Sequence, residues 1–171
     1  PNLPPKDNAM RVLIMGEVKA GKSTLINAVA RSAVMAKEMQ GTGPIFLRTD
    51  AARAPRVVTH DIAHLRGLEF VELACEQENP FSETECALIA SADLVIWVTI
   101  ASQAWRLSEQ LICDRIAKIV TRPMILAVSR ADKLRSQTDV EKIAGRLHRD
   151  TDGRFEDIVF LSAPPHEIAQ S

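Results

Sequence analysis

Eight consecutive residues near the amino terminus combine the side-chain types that hold phosphate groups, because residues 16–23 match the pattern G-x-x-x-x-G-K-S/T in full. Gly16 and Gly21 allow the backbone to turn tightly, so that successive amide groups point at phosphate oxygens. Lys22 places an ammonium group against the terminal phosphates, and the Ser23 hydroxyl is a ligand for magnesium. The pattern predicts a site for a nucleoside triphosphate with Mg2+, formed by Gly16, Glu17, Val18, Lys19, Ala20, Gly21, Lys22, Ser23 and Thr24.

A second motif predicts which base this site accepts. Ser129-Arg130-Ala131-Asp132, followed by Lys133, resembles the base-reading motif N/T-K-x-D of GTPases. The Asp132 carboxylate can accept hydrogen bonds from both N1–H and the exocyclic amine of guanine, a pair of donors that adenine lacks. Arg130 stands where lysine is usual, and its stem and plane can cover the face of the base. A strand followed by a polar turn explains the same residues, and an ATP-binding protein is then the alternative.

Two residues near the carboxyl end of the chain form a third motif. Ser162 and Ala163 follow a predicted strand at 158–161 and resemble the S-A-K/L element that backs the guanine in GTPases, with Pro164 at the third position. The match is short, and its value lies in the order of the three motifs along the chain. Each motif directly follows a predicted strand, and parallel sheets bind ligands at those carboxyl ends.

Together, the three motifs make the chain similar to the P-loop GTPase domains of the translation-factor-related class. Residues 16–28, which read GEVKAGKSTLINA, especially resemble the Era-like and bacterial dynamin-like branches. The resemblance covers residues 11–162. It implies binding of GTP and GDP with Mg2+, slow hydrolysis coupled to a conformational switch, a protein effector of unknown identity and a nucleotide-dependent homodimer.

One family motif is altered in this chain. GTPases have D-x-x-G at the end of the strand predicted here at 68–74; its Asp holds magnesium through water, and its Gly amide senses the terminal phosphate. The corresponding residues here are Glu72 and Cys75. Glu72 keeps the charge with one more methylene group, and Cys75 lacks the conformational freedom of glycine. Two hypotheses stay open: a slow GTPase with Glu72 as a metal ligand, and a domain that binds GTP without hydrolysing it, in which Glu72 is an ordinary strand-end charge.

The loop that closes over magnesium supplies a threonine in this family. Thr42 lies between two glycines and is the predicted residue, as both a metal ligand and a catalytic residue, with Thr49 as the second choice. Gln77 and His60 are of the types that position the attacking water, although such residues are more often surface or packing residues.

Lys19 lies in the phosphate loop where some relatives place an Asn that recruits a monovalent cation, or where a partner's arginine approaches. An ammonium group there can neutralise charge that develops between the β- and γ-phosphates. A catalytic role for Lys19, beside Lys22 and Thr42, and a solvent-facing lysine are the two hypotheses for this position.

The motifs require strands that end at them and helices that cover those strands. Short apolar runs predict buried strands, and apolar residues at helical spacing predict amphipathic helices. The predicted strands are 11–15, 44–49, 57–62, 68–74, 93–100, 124–128 and 158–161, and the predicted helices begin at Lys22 or cover 81–91, 104–120 and 139–149. Within 104–120 the predicted apolar face consists of Leu107, Leu111, Ile112, Ile116 and Ile119. The alternation predicts an α/β fold, a mostly parallel central sheet with helices on both faces, and the resemblance makes it GTPase-like.

Composition is that of one globular domain: 171 residues, 46% of them hydrophobic, with a formal net charge of −1. This charge gives no electrostatic basis for non-specific nucleic-acid binding. Three distant cysteines fit reduced thiols in a cytoplasmic protein, and no apolar run approaches the ~20 residues of a membrane span. We expect residues 1–9 to be a flexible lead-in and 10–171 to be the GTPase-like domain, cut short within a final helix that begins near 166–171.

Overall fold

A computed structural model describes residues 10–26, 28–29, 56–59 and 68–162 of the chain. In these residues the strands are β1 (Met10–Glu17), β2 (Arg56–Thr59), β3 (Leu68–Cys75), β4 (Leu94–Ile100), β5 (Met124–Ser129) and β6 (Asp157–Phe160). The helices are α1 (22–26 and 28–29), α2 (Glu83–Ser91), α3 (Leu107–Ala117) and α4 (Gln137–Asp150). Short 3-10 helices follow β4 at Ala101–Gln103 and β5 at Ala131–Lys133.

The strands form one sheet in the order β2-β3-β1-β4-β5-β6. All neighbouring pairs are parallel except β2 and β3, which are antiparallel. Gly16 of β1 is aligned with Ala74 of β3, and Ile100 of β4 is aligned with Ser129 of β5. The carboxyl ends of β1, β3, β4 and β5 therefore meet at one edge of the sheet, where the predicted motifs lie.

Alternate residues of the strands face two apolar layers, as the period of two in a strand requires. One layer contains Leu13, Met15, Leu73 and Trp97 of the sheet and the buried side chains of α2, α3 and α4. The other contains Val12, Ile14, Phe70, Val98 and Ala127 together with Leu25 and Ile26 of α1. The expected α/β architecture, a mostly parallel sheet with helices on both faces, is confirmed.

The ends of two helices are fixed by side-chain caps. The Ser82 hydroxyl accepts a hydrogen bond from the Glu85 amide, while the Glu85 carboxylate accepts one from the Ser82 amide, which is a complete capping box before α2. The Ser136 hydroxyl caps α4 by accepting from the Asp139 amide. These caps explain why α2 begins at Glu83 and α4 at Gln137, each two residues away from the predicted start.

The predicted apolar face of 104–120 was wrong at two positions, because Leu107 is 68% exposed and Leu111 is 41% exposed. The buried side of α3 contains Glu109, together with Ile112, Cys113 and Ile116. Helix α3 is also shorter than predicted, since residues 104–106 form a turn in which Trp105 has a positive φ of 65°.

Other predicted elements lie wholly or partly outside the described residues. The predicted strand at 44–49, the lead-in at 1–9 and the beginning of a final helix at 166–171 fall there. The predicted strand at 57–62 overlaps β2, which ends at Thr59. No helix within the described part of the chain has the length and apolar character needed to cross a membrane.

Candidate functional site

Backbone packing explains the two glycines of the phosphate loop. A Cβ atom at Gly16 would lie 2.6 Å from the Val98 carbonyl oxygen, so that only glycine lets β1 approach β4 this closely. At Gly21 the φ is +104°, and a Cβ would lie 3.1 Å from the Ser129 side chain. Helix α1 begins at the next residue, and its free amide groups add the positive end of a helix dipole to the loop.

Lys22 is buried inside the loop that it follows. Its ammonium group donates hydrogen bonds to the carbonyl oxygens of Gly16, at 3.1 Å, and Glu17, at 2.6 Å. Burial lowers the pKa of Lys22, and the nearby Glu72 carboxylate opposes this shift most strongly. The ammonium group therefore lies between the loop and the end of β3, where a phosphate group can accept from it.

Ser23 and Glu72 come together at the position expected for a metal. The Ser23 hydroxyl is 2.9 and 3.1 Å from the two carboxylate oxygens of Glu72. A hydroxyl and a carboxylate are oxygen ligands of the kind that Mg2+ prefers, so these residues fit a magnesium ion held with nucleotide phosphates. Thr42, the third predicted ligand, and Thr49, its alternative, lie outside the described residues.

Cys75 is the last residue of β3 and is aligned with Glu17 of β1. It is buried, and burial raises the pKa of its thiol to about 12, although a hydrogen bond with the Gly16 backbone and the Lys22 ammonium act in the opposite direction. Cys75 has no positive φ, so the strand continues through the position where the family has glycine. The residue keeps a backbone amide beside the phosphate loop without the flexibility of D-x-x-G.

Lys19 and Arg130 share an uncommon backbone conformation. Both are in the left-handed region, with φ of 64° and 58° respectively, although neither is glycine. The Arg130 guanidinium is 3.4 Å from the Lys19 carbonyl oxygen, which it reaches as a hydrogen-bond donor. The phosphate loop is thus joined, at two strained residues, to residues 129–133, which are called the base-reading segment after the motif they resemble. The Lys19 side chain itself is exposed.

Ser129 makes a second connection between these segments. Its hydroxyl lies 2.6 Å from the Ala20 carbonyl oxygen and 3.1 Å from the Thr99 carbonyl oxygen, within donating distance of both. Ser129 is 5% exposed, so its role is to fix the end of β5 against the phosphate loop rather than to face solvent.

Asp132 follows in an exposed turn beyond β5. Its side chain is 31% exposed, and one carboxylate oxygen is 3.8 Å from the Lys133 ammonium group. The Ala131 amide donates to the Leu161 carbonyl oxygen at 2.9 Å, which brings Ser162 to the same edge as the base-reading segment. Ser162 is exposed, and Ala163 lies outside the described residues. Of the predicted site, the side chains of Val18 and Thr24 are exposed.

Arg106 and Glu109 were missed by the sequence analysis. The Arg106 guanidinium forms an ion pair with Glu17 of the phosphate loop. Glu109 is 2% exposed, and its carboxylate accepts hydrogen bonds from the Trp97 indole at 3.2 Å, the Thr99 hydroxyl at 3.1 Å and the Arg106 amide at 2.8 Å. The bond from the Arg106 amide to Glu109 has the spacing of a capping box, in which a glutamate lies three positions after the residue that precedes the helix. The sequence did not indicate it, because arginine is not a residue type that normally caps helices.

Arg115 of α3 was also missed, and it holds the segment that follows β3. Its guanidinium donates to the carbonyl oxygens of Glu76 at 3.4 Å, Gln77 at 2.9 Å and Asn79 at 3.2 Å. The same group lies over the Phe81 ring, 5.6 Å from its centroid. Gln77, one of the two residues considered for positioning water, is thus held through its backbone by Arg115, and His60 lies outside the described residues.

Comparison with known families agrees with the geometry of this edge. Residues 11–130 match the family described as 50S ribosome-binding GTPase. The chain belongs to this GTPase family. The tRNA modification GTPase MnmE of Synechococcus elongatus is 27% identical to it over an alignment of 140 residues, which covers 78% of this chain and 29% of that protein. The GTPase domain described here therefore spans under a third of the length of that relative.

Solved GTPase structures share the fold. An Era structure from Aquifex aeolicus bound to GDP and AlF4− superposes with a TM-score of 0.62 at 20% identity, covering 91% of this chain and 52% of that chain. The small COPII coat GTPase of Encephalitozoon cuniculi in complex with GDP gives a TM-score of 0.65 at 12% identity, covering 92% of this chain and 70% of that chain. The predicted translation-factor-related GTPase class is confirmed, and family membership supports binding of a guanine nucleotide.

Proposed function

We propose that this domain binds GTP with Mg2+, hydrolyses it slowly to GDP and phosphate, and acts as a conformational switch. The observation that carries the proposal is the direct contact between the phosphate loop and the base-reading segment, through the Ser129 hydroxyl and the Ala20 carbonyl oxygen at 2.6 Å. Two segments held this close can bind one nucleotide together, the phosphate loop at its phosphates and the base-reading segment at its base.

In this proposal the phosphates are bound by the backbone amides of the loop, by the amino end of α1 and by Lys22. The Lys22 ammonium now donates to two loop carbonyl oxygens, and a bound phosphate would replace these with charged acceptors. A charge-assisted hydrogen bond is stronger than a bond to a neutral carbonyl, so the exchange favours nucleotide binding.

The metal site of the proposal consists of Ser23, Glu72 and Thr42. Mg2+ bound there would neutralise the phosphate oxygens. The longer Glu72 side chain already reaches the Ser23 hydroxyl at 2.9 Å, which supports a role for glutamate where the family has aspartate.

Base recognition is assigned to Asp132, with Arg130 covering the face of the base and Ser129, Lys133, Ser162 and Ala163 supporting it. Asp132 is partly exposed at the same edge as the phosphate loop, which leaves its carboxylate accessible to a guanine. A carboxylate that accepts two hydrogen bonds discriminates by about 1–3 kcal/mol against a base that cannot donate them.

Hydrolysis adds water across the γ-phosphate: the water oxygen bonds to phosphorus, the bond to the bridging oxygen breaks, and the proton goes to the phosphate released. The residues of this chain contribute charge to that step. In this proposal Lys22 faces the phosphates, and Lys19, which is exposed on the same loop, would be the second ammonium that stabilises the bridging oxygen.

A hydrolysis-deficient, nucleotide-binding scaffold is the second candidate function. It is favoured by Cys75 in place of glycine and by the Arg115 contacts, which fasten residues 76–81 immediately after β3. A segment held this way resists the movement that couples γ-phosphate loss to a switch.

The proposal is tested by isothermal titration of GTP, GDP and ATP in magnesium, using the chain and its Asp132→Ala variant. We expect guanine nucleotides to bind well above ATP, and the substitution to lower GTP affinity by about 10- to 100-fold. Asp157→Ala is the matched control, since Asp157 is an exposed carboxylate at the amino end of β6, and it should leave affinity unchanged. Binding indifferent to the base and to Asp132 would overturn guanine specificity and favour the ATP-binding alternative.

Single-turnover hydrolysis then separates the two candidate functions. A slow GTPase converts bound GTP to GDP and phosphate within the assay, at a rate that falls when magnesium is removed. The scaffold retains intact GTP for many hours under the same conditions.

A further inference from the structure

The second residue of the phosphate loop is a carboxylate, which is an unfavourable neighbour for a polyanion. Glu17 ends β1, and its carbonyl oxygen accepts a hydrogen bond from the Lys22 ammonium at 2.6 Å. Its carboxylate belongs to the loop that would surround the phosphates, and a negative charge there repels them unless it is neutralised.

Arg106 covers this carboxylate with the opposite charge. Its guanidinium forms an ion pair with Glu17, in which the Arg106 side chain is 47% exposed and the Glu17 side chain is 19% exposed. A second guanidinium nitrogen donates to the Gln103 side chain at 3.0 Å. The two nitrogens of the guanidinium group therefore bind the phosphate loop and the segment after β4 at the same time.

The backbone of Arg106 is fixed from the interior of the protein. Its amide donates to the Glu109 carboxylate at 2.8 Å, and the same carboxylate accepts from Trp97 and Thr99 in the buried layer under α3. The guanidinium therefore projects toward the phosphate loop from a rigid base, and holding Glu17 costs little additional ordering of the main chain.

We propose that Arg106 is a positioning residue for nucleotide binding, which compensates the charge of Glu17 and so sets the affinity of the loop for GTP over GDP. The inference rests on the proposed nucleotide-binding function. Without Arg106, Glu17 repels the phosphates, and the repulsion is larger for GTP because it carries one more phosphate than GDP. Removing the charge of Glu17 as well removes the repulsion.

The experiment measures GTP and GDP affinity by titration for Arg106→Gln, Glu17→Gln, the double variant and the intact chain. At about 50 mM salt we expect Arg106→Gln to weaken GTP binding about tenfold and GDP binding about threefold, and at about 500 mM salt the GTP effect to fall to about twofold through screening. Glu17→Gln should bind GTP as well as the intact chain or more tightly. The double variant should return to within about twofold of the intact chain.

Two further variants control for charge and folding. Arg106→Lys keeps the positive charge and should retain most of the GTP affinity. Arg122→Gln removes an arginine of similar exposure, 56%, which pairs with Asp93. This pair lies at the amino ends of β4 and β5, at the edge of the sheet opposite the phosphate loop, so the substitution should leave GTP affinity unchanged. Thermal unfolding of each variant confirms that it is folded.

A double variant as weak as Arg106→Gln would overturn the proposal, because Arg106 would then act on the phosphate or on loop structure rather than through Glu17. If Arg106→Gln does not fold, the GTP affinity of Glu17→Gln decides the question. A tenfold loss of GTP affinity in Glu17→Gln would overturn the proposal that Arg106 compensates the charge of Glu17. An intact chain that binds no GTP would overturn the proposed function together with this inference, whereas binding that is indifferent to Arg106 and Glu17 overturns the inference only.

Discussion

Lys19 is a non-glycine residue in a left-handed conformation at the tip of the phosphate loop, with a φ of 64°. Strain of this kind costs on the order of 1 kcal/mol and is often found at functional sites. Its carbonyl oxygen is bound by Arg130, which helps to hold the conformation. The exposed ammonium group is then presented by a fixed backbone, which a catalytic role requires.

We expect Lys19→Ala to lower the GTP turnover rate by about 100-fold while leaving GTP affinity within a few fold, as for loss of one group that stabilises the transition state. Single-turnover hydrolysis and titration measure the two quantities. Lys19→Gly is the matched control, since it also removes the ammonium but adopts the positive φ without strain. Both variants should lose turnover equally, and unchanged turnover in either would end the catalytic role.

Cys75 provides a pH-dependent contribution to stability. Burial raises the pKa of its thiol from 9.0 to about 12, so the folded state holds this proton more tightly than the unfolded state does. The stabilisation is fully present below pH 9 and is lost as the pH rises toward 12. We expect this group to lower the free energy of unfolding by about 1.4 kcal/mol between pH 8 and pH 10.

Urea denaturation at pH 8 and pH 10 measures the free energy of unfolding of the intact protein and of Cys75→Ala. The variant lacks the thiol, so its free energy of unfolding should fall less between the two pH values. Burial also raises the pKa of Cys113, but that residue is present in both proteins and contributes equally. An identical loss in the two proteins would contradict the shift at Cys75.

At the scale of single residues, the sequence predicted the phosphate loop because eight adjacent residues carry the pattern. It also paired Ser23 with Glu72, through a family motif, and the structure brings these side chains to within 2.9 Å. It could not predict the pair of Glu17 with Arg106, since the two residues are 89 positions apart and neither has an unusual type for its element. Long-range pairs of common residues leave no local pattern in a single sequence.

The segment from residue 76 to 81, between β3 and α2, is held by one side chain of a neighbouring helix. Arg115 binds three backbone carbonyl oxygens of this segment and lies over Phe81. Each hydrogen bond of this kind contributes about 1 kcal/mol, and the ring contact a similar amount. The combined effect is enough to keep the segment in one conformation for most of the time.

We expect Arg115→Ala to increase amide hydrogen exchange in residues 76–81 by about tenfold or more and to lower stability by about 1–3 kcal/mol. Exchange in this segment of the intact protein then separates the two candidate functions, because a switch changes it between GTP and GDP and a scaffold changes it little. Arg154→Ala is the control, because Arg154 lies over Trp105 at the same distance of 5.6 Å but on another loop, and it should leave residues 76–81 unchanged. Unchanged exchange of residues 76–81 in Arg115→Ala would show that Arg115 does not restrain the segment.

Periodicity predicted the existence of the helices better than the faces they bury. For α3, counting apolar residues placed Leu107 and Leu111 inside, whereas the structure buries Glu109 between Trp97 and Thr99. A carboxylate that finds three hydrogen-bond donors can be buried, but those donors lie on β4 and at the N-terminal cap of α3 and are not visible in the pattern of the helix itself.

For the whole molecule, nucleotide binding should appear as stability, because a ligand that binds only the folded state shifts the unfolding equilibrium. At a GTP concentration 100 times the dissociation constant we expect a gain of about 2.7 kcal/mol, which raises the melting temperature by about 5–10 °C for a chain of this size. Differential scanning calorimetry measures the shift. ATP at the same concentration and GTP with Asp132→Ala serve as controls with smaller shifts, and an equal shift with ATP would contradict guanine specificity.

The strand order has a consequence for how the molecule opens. Strand β1 lies third among the six strands of the described residues, paired along its whole length with β3 and over four residues with β4. Local fluctuations that detach an outer strand leave both of these ladders intact. The phosphate loop is therefore anchored to the part of the sheet that separates last, so mutations that fray β2 can lower the abundance of the protein in a cell while each folded copy keeps its phosphate loop intact.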